Sequence, residues 1–366
     1  MPDMNQDAED EIWIGGNGGV KLLTSPFETV MSSADAAAYT TPEYQSLTLI
    51  SDQNADLIPD VIANGNQGRA VLILSPFSGE LSPSVELKAP TANEQVKGLH
   101  VDDFTGSGDP YFALLSESED AVYLDANIGQ SSIDFVNSPS SVLYWTNNLT
   151  AGQVLSFGDM TGDGIHDILV AIPETGAGAV RMIEGGNIAS TAMLDLEGWE
   201  GELSGGQAGQ ALIDAGDWNG DGLSDVWIGA PNAGTQNAGR VYLGSVDRLG
   251  SLSQSEIILE GTSSGESFGQ SIAQGDSDGD GLPEIAVCSP DWLTKGRCAA
   301  FTQLSNGVFD PSDAQFTFEG SSQNLHLGQE VAFTNSDFDS LWATSPLGSE
   351  TGHQQGLIFR LQGLGY

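Results

Sequence analysis

Short runs of apolar residues recur along the whole chain, separated by loops rich in Gly, Asp, Asn and Ser. Runs such as "DILVAI" and "DVWIGA" are nearly continuously apolar, whereas "GRVYLGS" alternates between apolar and polar positions. A continuous apolar run predicts a strand buried on both faces, and alternation predicts a strand with one face in solvent. Long amphipathic helical periods are missing from the sequence. The pattern therefore predicts an all-β fold of many short antiparallel strands.

A repeating unit underlies this pattern. Three stretches align without gaps, each with an acidic loop, an apolar strand and a proline: "GDMTGDGIHDILVAIP", "GDWNGDGLSDVWIGAP" and "GDSDGDGLPEIAVCSP". Weaker copies begin at Asp3, Asp52 and Asp103, and a shortened copy lies near the end. The residues that precede the apolar strands anchor seven copies, near 11, 60, 111, 167, 225, 284 and 340. Units too small to bury their own apolar faces predict an array of small sheets.

Each unit contains four strand-like segments. In the fifth unit these are "QALIDAGD", "DVWIGAP", "GRVYLGS" and "EIILEG". Four antiparallel strands predict one blade of a β-propeller, in which neighbouring blades pack face to face. We therefore expect a seven-bladed β-propeller of four-stranded antiparallel blades, forming a single domain over residues 1–366. Because the chain starts within a unit, the first blade is expected to lack its inner strand, through irregularity or as part of a longer polypeptide.

The acidic loops place oxygen donors at alternate positions, as calcium sites do. Calcium takes six to eight oxygen ligands at about 2.3–2.6 Å, here from the side chains of loop positions 1, 3, 5 and 9 and the carbonyl of position 7. The glycines between them permit backbone angles that other residues avoid. The three complete sets are Asp159, Thr161, Asp163, Ile165 and Asp167; Asp217, Asn219, Asp221, Leu223 and Asp225; and Asp276, Asp278, Asp280, Leu282 and Glu284.

A fourth candidate loop lacks the glycines, having Ala55 and Leu57 in their places. Its donors are Asp52, Asn54, Asp56, Ile58 and Asp60. We expect about three Ca²⁺ sites, with this loop as a fourth candidate. The alternative is that the loops are Asx turns that bond only to their own backbone. An EF-hand is excluded, because its acidic position 12 is occupied here by Val170, Ile228 and Val287.

These copies resemble FG-GAP repeats, which form the β-propeller of integrin alpha chains and occur in many bacterial surface proteins. Phe157-Gly158 and Phe268-Gly269 correspond to the FG element, and the stretch from Gly229 to Pro231 reads GAP. The resemblance is strong over about residues 150–300 and decays toward both ends. It implies a seven-bladed propeller that binds calcium on one face and works in adhesion or recognition. Because several loops are degraded, no ligand-binding surface is transferred by position.

The net charge of the chain limits the partners and the location that we expect for it. The chain has 51 acidic and 10 basic residues, a formal net charge of −41. This charge repels nucleic acid and anionic membranes and suits a cation-rich medium. No apolar run approaches the roughly 20 residues of a membrane span, and the amino terminus lacks a leader pattern. We expect an extracellular or cell-surface protein, part of a larger one whose leader lies outside this sequence, with no nucleic-acid partner and no membrane insertion.

Cysteine and aromatic residues supply two further predictions. Cys288 and Cys298 lie on two strand-like runs joined by a turn, which predicts a cross-strand disulfide, with buried free thiols as the alternative. Aromatic residues in predicted loops opposite the acidic loops are expected either to bind a protein or glycan ligand or to pack between blades. These residues are Tyr144, Trp145, Trp199 and Trp292.

No local catalytic motif is present in the sequence. It contains no Gly-x-Ser-x-Gly elbow, no His-Glu-x-x-His motif and no phosphate loop. Arg69, Arg240 and Arg297 each follow a glycine at the start of a third strand, which predicts a repeated ion pair. We therefore expect a propeller for adhesion or recognition of a protein or polysaccharide. The alternatives are a polysaccharide lyase or hydrolase built on distant loops of the propeller, and a structural spacer.

Overall fold

The structure is a computed structural model of the chain. It describes residues 12–14, 20–23, 36, 38–89, 96–101, 103–107, 111–116, 121–125, 132–135, 142–145, 153–156, 158–174, 176–186, 191–192, 196–276, 282–302, 304–333, 341–345 and 357–361.

The strands are numbered in chain order. The first sixteen are β1 Ile12–Ile14, β2 Lys21–Leu23, β3 Ala38–Tyr39, β4 Tyr44–Ile50, β5 Asp60–Gly65, β6 Arg69–Ile73, β7 Gly79–Glu80, β8 Val85–Lys88, β9 Val96–Val101, β10 Tyr111–Ser116, β11 Ala121–Asp125, β12 Ser132–Asp134, β13 Val142–Trp145, β14 Gln153–Ser156, β15 Ile168–Ile172 and β16 Ala179–Ile183. The others are β17 Thr191–Ala192, β18 Gly198–Glu200, β19 Ala211–Gly216, β20 Asp225–Ala230, β21 Arg240–Gly244, β22 Gly250–Ser251, β23 Ile257–Glu260, β24 Ser271–Gly275, β25 Glu284–Ser289, β26 Arg297–Phe301, β27 Gly307–Phe309, β28 Phe316–Glu319, β29 Val331–Phe333, β30 Leu341–Ser345 and β31 Leu357–Leu361.

These strands form seven hydrogen-bonded sheets within the described part of the chain. Their orders are β1-β2-β3-β7, β4-β5-β6-β8-β12, β9-β10-β11-β13-β17, β14-β15-β16-β18-β22, β19-β20-β21-β23-β27, β24-β25-β26-β28 and β29-β30-β31. Each sheet contains one of the apolar strands that the repeat predicts, namely β1, β5, β10, β15, β20, β25 and β30. The described residues contain no α-helix, only short 3₁₀ turns at Thr235–Asn237, Val246–Arg248, Leu252–Gln254 and Trp292–Thr294. The predicted all-β fold class is confirmed, and the number of propeller blades stays a prediction.

Five sheets also carry a short parallel strand at one edge, which the sequence pattern does not predict. The parallel pairs are β7 with β3, β12 with β8, β17 with β13, β22 with β18, and β27 with β23. Each added strand comes from the connection between the third and fourth strands of the next sheet along the chain. It covers backbone groups that an edge strand would otherwise expose. The prediction of four strands in each sheet was therefore incomplete.

The contacts of the chain group it into two compact units. Unit 1 comprises Met1–Asn148, Gly164–Ile168 and Glu184–Asp195, and unit 2 comprises Leu149–Asp163, Leu169–Ile183 and Leu196–Tyr366. Within unit 1, apolar side chains of neighbouring sheets form a core that includes Ile62, Leu72, Leu87, Phe112 and Phe135. Within unit 2, one core cluster includes Leu169, Trp199, Ile228 and Tyr242, and another includes Trp227, Phe268 and Phe301. The single domain expected from the sequence stays a prediction.

The two cysteines face each other across β25 and β26. Cys288 pairs with Cys298 in the strand register, and the two form a disulfide. The predicted cross-strand disulfide is therefore present. Gly328 packs directly on it, since a Cβ at this glycine would lie 2.5 Å from the Cβ of Cys288 and 2.8 Å from the Sγ of Cys298.

Candidate metal loops and the opposite rim

The loop 217–225 connects β19 to β20 and is held by its own polar side chains. The side-chain oxygens of its first three predicted metal ligands each accept a hydrogen bond from a backbone N–H further along the loop. The bonds run from Gly222 N to Asp217 Oδ2 at 3.0 Å, from Asp221 N to Asn219 Oδ1 at 2.8 Å, and from Leu223 N to Asp221 Oδ1 at 2.8 Å. Gly220 and Gly222 have φ values of 77° and 92°, which residues with a Cβ rarely adopt. The glycines therefore let successive N–H groups reach the acidic side chains.

Asp225, the last predicted ligand of this loop, is a buried carboxylate. Its exposed fraction is 1%, and its Oδ2 accepts hydrogen bonds from the backbone N of Trp218 and of Asn219, both at 3.0 Å. Burial raises the pKa of Asp225 to about 6 in spite of these bonds, and the negative charges of Asp221 and Asp217 contribute to the rise. A cation in the loop would act in the opposite direction, because it attracts the ionised carboxylate.

The loop 52–60 connects β4 to β5 and repeats this arrangement without the glycines. The matching bonds run from Leu57 N to Asp52 Oδ2 at 2.7 Å, Asp56 N to Asn54 Oδ1 at 3.0 Å, Ile58 N to Asp56 Oδ1 at 2.8 Å, and Gln53 N to Asp60 Oδ2 at 2.6 Å. Ala55 and Leu57 have φ values of 63° and 72°, close to those of Gly220 and Gly222. The two loops therefore share one backbone conformation, although one of them lacks the glycines.

Ser75 adds a neutral donor to the loop 52–60. Its Oγ lies 3.0 Å from both carboxylate oxygens of Asp56 and 3.0 Å from Oδ1 of Asp60. Its backbone N also donates to Oδ1 of Asp60 at 2.7 Å. A hydroxyl has one proton to donate, so Ser75 satisfies one of these two carboxylates at a time.

The loop that begins at Asp159 crosses the border between the two units. In unit 2, Oδ1 of Asp159 accepts hydrogen bonds from Gly162 N at 2.6 Å and from Asp163 N at 3.0 Å. In unit 1, Asp167 is completely buried and its Oδ1 accepts a hydrogen bond from Gly185 N at 2.8 Å. Both carboxylates therefore accept backbone N–H groups, as those of the loop 217–225 do. The predicted set with Thr161 and Ile165 stays a prediction.

The loop 276–284 is described only at its ends. Residues 277–281, which include the predicted ligands Asp278 and Asp280, lie outside the described residues. Glu284 begins β25 and is 2% exposed, Leu282 is exposed, and Asp276 follows β24 directly. This predicted site also stays a prediction.

The chemistry of the described donors fits a hard divalent cation. The side-chain donors are carboxylate, amide and hydroxyl oxygens, and the last carboxylate of each loop is buried: Asp60, Asp167, Asp225 and Glu284. A buried carboxylate is costly unless a partner compensates its charge. In the described parts of the chain, no three His, Cys, Asp or Glu side chains are grouped so as to hold a metal ion. The described loop carboxylates accept backbone hydrogen bonds instead, so calcium binding stays a prediction.

The structure places Trp199 inside a sheet. It lies in β18, is 1% exposed and packs with Leu169, Ile228 and Tyr242. The prediction that Trp199 lies in a surface loop is therefore wrong. The structure shows the alternative, in which Trp199 packs against a neighbouring sheet. The strand β18 has only three residues and begins at Gly198, whose φ is 155°, so no period in the sequence reveals it.

Two other aromatic residues lie in a strand, and one lies in a loop as predicted. Tyr144 and Trp145 belong to β13, where they pair with Val122 and Ala121. The prediction that these two residues lie in a loop is wrong, because the apolar run "VLYW" forms a strand of the sheet. Trp292 lies in the 3₁₀ turn between β25 and β26, half-buried, with Cζ of Arg297 4.8 Å from its ring centroid.

The third-strand arginines form the predicted ion pairs. The N···O distances are 2.9 Å for Arg69 with Glu86, 2.8 Å for Arg240 with Glu260, and 2.7 Å for Arg297 with Glu266. Arg240 also pairs with Glu202, and Arg181 pairs with Glu200. Hydrogen bonds from Thr235 and Arg240 lower the pKa of Glu260 although burial acts against them. These pairs use four of the ten basic residues of a strongly acidic chain within its own sheets.

A polar cluster lies beside Trp292, at the end of its sheet opposite the loop 276–284. Oγ of Ser267 donates to Oδ2 of Asp291 at 2.7 Å, and Nδ1 of His326 lies 3.0 Å from Oδ1 of Asp291. Asp291 therefore lies between the hydroxyl and the imidazole. In a Ser-His-Asp triad the imidazole contacts the hydroxyl and removes its proton. This arrangement does not activate Ser267 as a nucleophile, but it offers hydrogen-bonding groups to a ligand.

None of the helical turns in the described residues is long and apolar enough to cross a membrane.

Comparison with known proteins identifies the repeat. The family model for the FG-GAP-like repeat matches residues 217–287, a range that contains the two acidic loops 217–225 and 276–284. Integrin alpha-5 of Xenopus laevis is 28% identical over 195 residues, 47% of this chain and 18% of the relative. Phosphatidylinositol-glycan-specific phospholipase D of Bos taurus is 27% identical over 260 residues, 64% of this chain and 31% of the relative. The chain thus covers less than a third of the length of either relative.

Structural similarity extends over nearly the whole chain. A crystal structure of BBS1N in complex with ARL6DN matches 99% of this chain and 91% of its own chain, with a TM-score of 0.61 and 10% sequence identity. This likeness concerns the fold alone. The repeat match and the integrin relative show that the chain carries an FG-GAP-like repeat and is similar to the β-propeller of integrin alpha chains.

Proposed function

We propose that the chain is a calcium-binding extracellular β-propeller that recognises a protein or polysaccharide ligand, as one module of a larger surface protein. The observation that carries the proposal is the shared conformation of the loops 52–60 and 217–225, each ending in a buried carboxylate. Such loops supply hard oxygen donors at the spacing that calcium requires. The resemblance to integrin alpha chains supports a role in adhesion or recognition and a location at the cell surface.

The ligand is proposed to bind at the rim opposite the acidic loops. These loops join first to second strands, whereas Trp292 lies between the second and third strands of its sheet. Consecutive antiparallel connections lie at opposite ends of a sheet. The turn at Trp292 also presents Leu293, whose exposed fraction is 59%, beside the polar cluster of Ser267, Asp291 and His326. An exposed apolar residue next to an aromatic ring and hydrogen-bonding groups suits a protein or sugar surface.

Calcium is proposed to act as a structural ion. The side chains of Asp217, Asn219, Asp221 and Asp225, with the carbonyl of Leu223, would hold it in the described loop of unit 2. When bound, the ion supplies positive charge that offsets the burial of Asp225 and the repulsion among the loop carboxylates. Because it binds the folded chain, it stabilises that state by mass action.

Calorimetric titration with CaCl₂, together with thermal unfolding in calcium and in chelator, tests the metal part. We expect calcium binding and a lower Tm in chelator. Asp221→Ala should lose one ion and keep the others, whereas Asp247→Ala, an exposed residue outside the loops, should keep the stoichiometry. An unchanged stoichiometry for Asp221→Ala would contradict the assignment of this loop.

A glycan and protein array at millimolar calcium tests the recognition part. We expect hits that Trp292→Ala weakens and Trp218→Phe, a change at the opposite end of the neighbouring sheet, leaves intact. Binding that Trp292→Ala does not alter would contradict the assignment of the rim.

The second candidate function is enzymatic. The observation in its favour is the match over 260 residues to a relative whose name describes a phospholipase D for phosphatidylinositol glycans. Turnover assays on array hits and on a phosphatidylinositol glycan distinguish the two functions. Product formation would favour the enzyme, and binding without product would favour recognition.

A further inference from the structure

Asn219 and Gly220 form an Asn-Gly pair inside the loop 217–225. Both residues are exposed. Among the described residues, none accepts a hydrogen bond from the backbone N of Gly220. Asparagine is chemically labile, because the next backbone nitrogen can attack its side-chain carbonyl carbon and displace ammonia. Glycine in the next position favours this attack, since it has no Cβ to hinder the approach.

The hydrogen bonds of Asn219 join its side chain to Asp221, the residue that follows Gly220. Its Oδ1 accepts a hydrogen bond from Asp221 N at 2.8 Å, so the side chain folds back over the Gly220 peptide group that lies between. The bond that Oδ1 accepts withdraws electron density from the carbonyl and makes Cγ more electrophilic. Nδ2 donates to Oδ2 of Asp221 at 3.0 Å, and it exchanges this bond for a proton from water when it leaves as ammonia.

Two other Asn-Gly pairs of the described chain lack one of these features. Asn64 is 5% exposed in β5, and its Oδ1 accepts a hydrogen bond from Gly98 N at 2.7 Å. Asn306 is exposed, but the N of Gly307 donates to the carbonyl of Glu256 at 2.8 Å. That bond holds the nitrogen away from the asparagine side chain. Of these three described pairs, Asn219-Gly220 combines an exposed asparagine amide with a glycine backbone nitrogen that forms no hydrogen bond to a described residue.

From this geometry we infer that Asn219 is a site of spontaneous deamidation, and that a cation bound in the loop protects it. Gly220 N attacks Cγ of Asn219 and forms a C–N bond, while its proton passes to water. The Cγ–Nδ2 bond breaks, Nδ2 gains a proton from water, and ammonia leaves a five-membered succinimide. Water then adds to one of the two ring carbonyls and opens the ring to aspartate or isoaspartate. Solvent water is the one co-reactant, and no atom changes its oxidation state.

The protective effect rests on the proposed calcium site. As a ligand, Oδ1 of Asn219 would be fixed by the ion, and Cγ would no longer be free to move onto Gly220 N. The aspartate product has the same side chain as Asp278, at the same position of the loop 276–284. Because calcium affinity rises with ligand charge, Asn219→Asp should bind calcium more tightly. Isoaspartate adds a methylene to the backbone and changes the donor spacing, so that product should bind more weakly.

Timed incubation of the full chain at neutral pH, in millimolar CaCl₂ or in chelator, tests the inference. Peptide mass mapping follows the conversion of amide to acid at Asn219 and at Asn306. We expect Asn219 to convert several-fold faster in chelator than in calcium, and faster than Asn306 in chelator. Asn306 lies outside the acidic loops and should convert equally slowly in both solutions. Asn219→Asp, titrated with CaCl₂ beside Asn306→Asp, measures the effect on affinity.

The outcomes separate this inference from the proposed function. An intact Asn219 amide in chelator, at times when model Asn-Gly peptides have converted, would overturn the deamidation site. Equal conversion in calcium and in chelator, in a protein that titrates with calcium, would overturn the protection. Conversion at Asn219 in a protein that binds no calcium would support the modification site and contradict the proposed function.

Discussion

Leu57 and Gly222 occupy the same position in two acidic loops and share a left-handed backbone, with φ values of 72° and 92°. The Leu57 side chain is 89% exposed, so packing does not compensate for this conformation. A residue with a Cβ is disfavoured there by about 1 kcal/mol or more. The bond from Leu57 N to Oδ2 of Asp52, at 2.7 Å, keeps the backbone in place. The polar side chains of the loop 52–60 therefore maintain a shape that its sequence opposes.

Leu57→Gly should raise the free energy of unfolding by about 0.5–1 kcal/mol, because it relieves the backbone and removes little packing. Urea unfolding in chelator measures the effect without a contribution from metal. Leu49→Gly is the control, since Leu49 is also exposed, at 43%, but lies in β4. That change should lower stability. A loss of stability in Leu57→Gly equal to that of the control would show that Leu57 is not strained.

The repeat could be predicted from the sequence because its signal is carried by charged residues at fixed spacing. Asp60 and Asp225 end acidic loops and begin buried strands in both cases, although the glycines of one loop are missing. The loop 52–60 keeps the spacing of the metal-ligand residues although its glycines are replaced, since hydrogen bonds hold its backbone. The buried second strands were equally visible, because a continuous apolar run needs no alternation to be recognised.

The parallel edge strands and the position of Trp199 could not be predicted. The added strands have two or three residues each, too few for a period to show. They pair with a different unit of the repeat, a relationship that local sequence does not encode. The sequence predicts a loop at Trp199 for the same reason, because its strand has three residues and is fixed by contacts with Leu169 and Tyr242.

Arg240 should contribute more to stability than Arg248, because its ion pairs are more buried. The side chain of Arg240 is 19% exposed and pairs with Glu202 and Glu260, whereas that of Arg248 is 42% exposed and pairs with Glu256. Arg240→Met leaves two carboxylates with little solvent and should cost about 2–4 kcal/mol. Arg248→Met should cost less than about 1 kcal/mol. Chemical unfolding of both variants measures the difference, and equal losses would contradict the role of burial.

Asp225 should make the stability of the metal-free protein fall as pH rises. Its pKa is about 6 in the folded chain against 3.8 for the free side chain, so folding favours the protonated form. The contribution is fully present below pH 3.8 and is lost as pH rises through about 6, by roughly 3 kcal/mol. Unfolding in chelator at several pH values, with Asp225→Asn as reference, isolates this group.

Calcium should reverse the sign of that dependence, because the ion binds the ionised carboxylate. In millimolar calcium the same comparison should show stability rising with pH over this range. A wild-type protein that shows the same slope in calcium and in chelator would contradict calcium binding at this loop. A slope that Asp225→Asn leaves unchanged would assign the pH dependence to other groups.

The two tryptophans Trp199 and Trp292 should separate packing from recognition. Trp199 is 1% exposed in a core cluster, so Trp199→Ala opens a large cavity and should cost about 3–5 kcal/mol of stability. Trp292 is half-buried beneath Arg297, with 4.8 Å between Cζ and the ring centroid, so Trp292→Ala should cost at most about 1 kcal/mol. Urea unfolding of both variants measures these losses. A loss in Trp292→Ala as large as that in Trp199→Ala would make Trp292 a core residue, and its effect on array binding would then report folding rather than contact with a ligand.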